Sequence, residues 1–317
     1  QYLTVEQALA DLKYFLDHIQ EKYNINNNNE YKRPALIVGG SYSGALSAWF
    51  KITYPNAVFA AWSSSGVVNA ILDFTAFDEY VAYAASIDSP SCTPALRTLQ
   101  KQLEQAIKTD PQGTKLLFNS RSDLPNNDFW YMVADSAAMS VQYGNRKVMC
   151  DIIVPPYQAQ SKNLVSIFAN YTNFHWGSDF GSNCFYDTQC LKNRQGKDPM
   201  AVSWRWQKCT QLAYLQSAPE HYSLRSTNLT LDVLLQQCND IFNNGKTLPT
   251  TDSINNKYGG NHPKGDHIVF VDAQQDPWTQ ASIDHDISDT KPYLFIDCDT
   301  CGHCIDLSLS TENQPQP

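Results

Sequence analysis

Three short segments carry side chains whose types and order suit nucleophilic acyl transfer. The first is Gly39-Gly40-Ser41-Tyr42-Ser43-Gly44, where a serine stands between an apolar run and a helix-forming one. A turn that lifts a hydroxyl out of a sheet is strained and tolerates only small neighbours, a need met by Gly39, Ser43 and Gly44. Ser43 stands where such motifs carry a last glycine, and turns of this composition are often only structural, so Ser41 needs partners before it means anything. They follow in the required order of serine, acid, histidine, each soon after an apolar strand. Asp276 lies five residues past Val271, in Asp272-Ala273-Gln274-Gln275-Asp276-Pro277-Trp278, and His303 seven past Ile296, in Cys298-Asp299-Thr300-Cys301-Gly302-His303-Cys304.

In such a set His303 would take the proton of Ser41 during attack on a carbonyl and return it to the leaving group, while Asp276 holds the imidazole tautomer. The backbone N–H of Tyr42, at the start of the helix, would face the oxyanion. Asp272 is the alternative acid, but Asp276-Pro277 offers a turn that aims a carboxylate across a sheet edge. His285, flanked by Asp284 and Asp286, reads as a solvated surface residue. The cluster Cys298, Cys301, Cys304 around His303 has soft-ligand spacing for zinc, yet no second pair at similar spacing accompanies it, and disulfide bonding is the simpler reading. Trp204, Trp206 and Trp278 are candidates for a substrate pocket, against the commoner fate of aromatics as plain core.

These groups need a frame. Thr4-Val5-Glu6-Gln7 has the form of a capping box, and Val5, Leu9, Leu12, Leu16 and Ile19 recur at helical spacing up to Tyr23. The asparagine tract Asn24 to Asn29 reads as a polar loop. Pro34 to Val38 and Val58 to Trp62 read as buried parallel strands on either side of a helix, Ala45 to Tyr54, the opening of a doubly wound α/β sheet. From about residue 70 to 195 apolar strand runs give way to helical stretches, such as Ala95 to Lys108 and Phe129 to Tyr143, which marks a helical insertion. The sheet resumes at His267 to Val271 and Tyr293 to Ile296, whose C-terminal ends are where catalytic groups belong. The expected division is therefore 1–69, 70–195 and 196–317, with a disordered tail from Ser308 to Pro317.

With 317 residues, 42% hydrophobic and 17% charged, the chain has a globular balance and exceeds a single small core. A net charge of −9 argues against a nucleic-acid partner, which requires clustered cations. No apolar run is long enough to span a bilayer. Nine cysteines, with the sequons Asn170-Tyr171-Thr172 and Asn228-Leu229-Thr230, favour a secretory route. An odd cysteine count leaves one thiol over.

The elbow and the two later loops resemble the serine carboxypeptidase family that contains lysosomal Pro-X carboxypeptidase, dipeptidyl peptidase II and thymus-specific serine protease, with the thymus-specific branch the nearest. The matching stretches are Tyr2-Leu3-Thr4, Gln7 to Asp11, Gly39 to Tyr42, Trp204 to Thr210, Tyr258-Gly259-Gly260, Asp276-Pro277-Trp278 and His303-Cys304-Ile305-Asp306. The resemblance implies an α/β-hydrolase domain with an inserted helical cap. It also implies peptide substrates cut beside proline by carboxypeptidase or dipeptidyl peptidase action, a lysosomal or extracellular setting, and no metal or organic cofactor. A homodimer is a further expectation. The family's Cys-Thr-Glu is Cys209-Thr210-Gln211 here, and its Asn-Gly pair before the acid is Asp272-Ala273. Relatives carry strands before the first helix, with a loop between those strands and that helix supplying one oxyanion donor, and a helix after the histidine loop. On that basis the α/β-hydrolase fold is expected to be incomplete at the N-terminus, and residues 1–317 alone unstable or nearly inactive. An esterase or lipase of the same fold, and a non-catalytic peptide-binding relative, are the alternative functions.

Overall fold

In the computed structural model, which describes residues 2–24, 34–194, 199–245 and 247–309, Thr4 opens the first helix, α1 (Val5–Asn24), by accepting the Gln7 N–H on its hydroxyl at 3.2 Å. Strand β1 (Leu36–Gly40), helix α2 (Tyr42–Thr53) and strand β2 (Ala60–Ser64) follow. The chain then enters a mostly helical stretch. It holds β3 (Ile71–Asp73), α3 (Thr75–Ser86), α4 (Cys92–Thr109), α5 (Pro111–Leu117), α6 (Asn126–Gln142), α7 (Arg146–Gln158), α8 (Leu164–His175), α9 (Thr188–Asn193), α10 (Pro199–Gln207), β4 (Ala213–Leu215) and α11 (Leu231–Phe242). It closes with α12 (Thr251–Tyr258), β5 (Ile268–Ala273) and β6 (Tyr293–Ile296). The asparagine tract after Asn24 and the tail after Leu309 lie outside the described residues.

Two units result, Gln1–Ile71 with Thr250–Pro317, and Leu72–Pro249. In the first, four strands run parallel in the order β1-β2-β5-β6, so the chain is mixed α/β with a parallel sheet, as the strand and helix alternation requires. Helix α2 packs on the sheet through Ala45, Ala48, Trp49 and Phe50, all fully buried, and Trp49 stacks on Tyr258 of α12 with ring centroids 5.0 Å apart. The β2 strand runs to Ser64, two residues past the expected end at Trp62, because its register pairs Gly40 with Ser64 on one side and Ser64 with Val271 on the other. Two neighbours thus override the weak strand preference of serine.

The second unit is built from amphipathic helices, with Leu96, Leu99 and Leu103 of α4 recurring on one buried face. It extends to Pro249, beyond the boundary expected at residue 195. Cys209 and Cys238 are joined by a disulfide, β4 pairs with β3, and α11 packs against α9 and α10. Those ties hold residues 199–249 with the helices. At Lys208–Leu212 the chain forms a π-turn, where burial lowers the Lys208 pKa to about 7.

Candidate active site

Ser41 sits between β1 and α2 with φ 61° and ψ −127°, a backbone conformation that side-chain-bearing residues rarely adopt. The strain is local and built by the neighbours. A Cβ on Gly39 would overlap the carbonyl of Ser43, and one on Gly40 would lie 2.9 Å from the Cys304 sulfur. The Ser41 N–H is held by the Ser64 carbonyl at 2.9 Å, so the elbow is tied to the end of the neighbouring strand. Tyr42 begins α2, which puts its N–H in the first helical turn, where backbone donors gather partial positive charge.

The acid and the imidazole meet. Asp276, with no exposed surface, accepts the His303 Nδ1 hydrogen on Oδ2 at 2.8 Å, while its Oδ1 accepts the Trp278 N–H at 3.0 Å. That second bond, with Pro277 behind it, makes an Asp-Pro turn that fixes the carboxylate. Burial would lower the His303 pKa, but the charge and hydrogen bond of Asp276, with a further contribution from Cys304, reverse this and raise it. The bond to Asp276 places the ring hydrogen on Nδ1, so that Nε2 is the nitrogen that exchanges the proton.

Asp272, the alternative acid, is not the partner of His303. Its carboxylate is buried on β5 without a hydrogen bond to either oxygen, and burial together with the Asp276 charge raises its pKa. His285 is exposed and bonds Asp284 at 2.6 Å, as a surface residue would. Trp278 lies beside His303, ring centroids 6.3 Å apart. Trp204 and Trp206 belong to α10 in the helical unit, and Trp206 packs edge-on against Phe242 at 5.2 Å, an ordinary helix contact. Asn170 and Asn228 are both exposed.

The cysteines form four disulfides, Cys92–Cys150, Cys184–Cys190, Cys209–Cys238 and Cys298–Cys301, which points to an oxidising compartment. Cys304 is the free thiol. Among the described residues no group of three or more His, Cys, Asp or Glu side chains is arranged to hold a metal ion. Sequence reasoning missed the polar residues that bind the histidine loop to β2, although the run Ser63-Ser64-Ser65-Gly66 directly after an apolar strand marks a backbone that must turn while staying bonded.

Comparison with known proteins gives a family. The model for serine carboxypeptidase S28 matches residues 1–316. The chain is 33% identical over 319 residues to "Probable serine protease EDA2" of Arabidopsis thaliana, covering 97% of this chain and 63% of that protein. It is 24% identical to human lysosomal Pro-X carboxypeptidase, covering all of this chain and 65% of that one, and 23% identical to mouse thymus-specific serine protease, covering 97% and 65%. It therefore spans a little under two thirds of the length of these relatives. Motif order, parallel sheet and matched length agree, and the chain belongs to the serine carboxypeptidase S28 family.

Proposed function

We propose that this chain carries the catalytic triad of a serine exopeptidase, with Ser41 as nucleophile, His303 as general base and Asp276 as the orienting acid. The observation that carries the reading is the 2.8 Å bond between His303 Nδ1 and buried Asp276, set in the same unit as the strained Ser41 turn. Nε2 of His303 takes the Ser41 proton as Oγ attacks the substrate carbonyl carbon. Negative charge develops on the carbonyl oxygen, where the Tyr42 N–H donates. Return of the proton to the leaving amine completes the acyl-enzyme, and water repeats the sequence in reverse. Asp276 stabilises the imidazolium in both halves.

The substrate is a peptide, cut from one end and beside proline; the likeness to human lysosomal Pro-X carboxypeptidase supports that class. Trp278 beside His303 offers a flat apolar face for a pyrrolidine ring. An oxidising, lysosomal or extracellular setting accords with the four disulfides.

Labelling of the full-length protein with a fluorophosphonate probe tests the reading. Labelling that is lost in Ser41→Ala and is accompanied by peptide hydrolysis supports it. Absence of labelling in folded wild-type protein favours a peptide-binding relative without catalysis, and cleavage of long-chain esters but not peptides favours an esterase.

A further inference from the structure

At the end of β2, all three segments of the proposed triad are tied to the same two residues. The Ser64 carbonyl accepts the Ser41 N–H at 2.9 Å, and the Ser65 N–H donates to the Val271 carbonyl on the acid's strand at 2.6 Å. The Ser65 hydroxyl accepts the N–H of Cys304, the residue after His303, at 2.8 Å. The Ser64 hydroxyl donates to Asp306 Oδ1 at 2.6 Å, and the other oxygen of Asp306 accepts the Trp62 indole N–H at 2.8 Å. Both serines are buried.

We propose that Ser64, Ser65 and Asp306 are positioning residues that set the height and tilt of His303 over the Ser41 turn, an inference that rests on the triad reading above. The reason lies in how His303 is held. Asp276 fixes the rotation of the imidazole, but it does not fix the backbone from which the ring hangs. That backbone belongs to a loop after β6, where Cys304 adopts φ 57° and a single 3-10 turn, Ile305–Leu307, follows. Such a segment has no strand partner to define its position.

The latch supplies one. Ser65, itself at φ 44°, turns the chain away from the sheet while its N–H is still bonded to β5, so its hydroxyl projects towards the histidine loop. Asp306 accepts two donors from alternate residues of β2, Trp62 and Ser64, which lie on one face of the strand. The loop is thus docked on the strand whose carbonyl holds Ser41. Close packing accompanies this register, since a Cβ on Gly40 would lie 2.9 Å from both the Cys304 sulfur and a Leu307 methyl. Proton transfer from Ser41 to His303 needs the heavy atoms within hydrogen-bond reach, and a displacement of about 1 Å costs on the order of a hundredfold.

The test uses the full-length protein, with rates expressed per titrated Ser41, so that loss of folded enzyme does not count. Asp306→Ala is expected to slow both fluorophosphonate labelling and kcat on a peptide by about 10- to 100-fold, with KM within about twofold. Asp306→Asn, which keeps one oxygen acceptor, should recover part of that loss. Ser65→Ala should slow labelling in the same manner. Should Asp306→Ala fail to fold, Trp62→Phe removes one donor, keeps an aromatic ring, and is expected to slow labelling several-fold. Wild-type protein that labels while Asp306→Ala and Ser65→Ala label at the same rate per site overturns the latch and leaves the triad standing. A purely structural role gives that second result together with a lowered Tm. Folded wild-type protein that does not label overturns the triad reading, and the latch with it.

Discussion

Asp272 and Asp276 lie four residues apart on the same strand end, and their surroundings separate them. Asp276 is buried with both oxygens bonded, whereas Asp272 is buried with neither. Burial of a carboxylate without donors disfavours its charged form, and here burial, then the nearby Asp276 charge, then Asp306 push its pKa upward against Ser282 and His303. A carboxyl whose folded-state pKa exceeds its unfolded value binds its proton more tightly when folded. The folded form therefore gains most below the ordinary carboxylate range and loses that gain as pH rises through the raised value. Asp272→Asn replaces the acid by a neutral amide of the same shape, so the decline of Tm as pH rises through and above the ordinary carboxylate range should become shallower. It does not vanish, because His303, whose pKa is also raised in the folded state, contributes in the same direction. Tm measured across that range in both proteins decides it, and parallel curves would remove Asp272 as a cause.

At the scale of elements, a single residue ends one signal and begins another. Thr230 caps α11, its hydroxyl accepting the Val233 N–H at 3.3 Å, and it is also the third residue of the sequon at exposed Asn228. The two roles separate by substitution. Asn228→Gln should abolish a glycan at this site and leave the cap. Thr230→Ala should abolish both, with an added loss of about 1 kcal/mol, or roughly 2–4 °C in a unit of this size. Thr230→Ser should keep both, and gel mobility with Tm reads all three. The four sheet strands and the helices α1, α2, α4 and α6 were legible because each has a period or an apolar run of its own, as α1 and β5 do. The short pair β3–β4 was not, since three residues carry no period and their strand character comes from pairing. The proposed triad residues Ser41, Asp276 and His303 could be picked out by their order, each standing after a strand. Asp306 could not, since its partners Trp62 and Ser64 lie 244 and 242 residues away, and nothing local in the sequence joins them.

For the molecule as a whole, the cross-links are unevenly shared. Three of the four disulfides lie within Leu72–Pro249, and the fourth, Cys298–Cys301, sits in the histidine loop of the other unit. The sheet unit gains its cohesion from two central strands, β2 and β5, each with a neighbour on either side, and from α2 packed on β1 and β2. The helical unit is bound by covalent ties across its helices, and their loop lengths set their value. Cys92–Cys150 encloses 58 residues of sequence separation, Cys209–Cys238 encloses 29 and Cys184–Cys190 only 6. The loop-closure model gives about 4 kcal/mol for each of the two long loops and about 2 kcal/mol for the short one, the longest exceeding the next by about 0.6 kcal/mol for its doubled length. Paired Cys→Ala substitution should then lower the Tm of the helical unit in that order. The two long loops should cost roughly 8–16 °C each, and the short one about half as much. Scanning calorimetry of the three double variants in oxidising buffer measures this directly. Equal losses would mean that local packing, not loop closure, governs how the disulfides stabilise this unit.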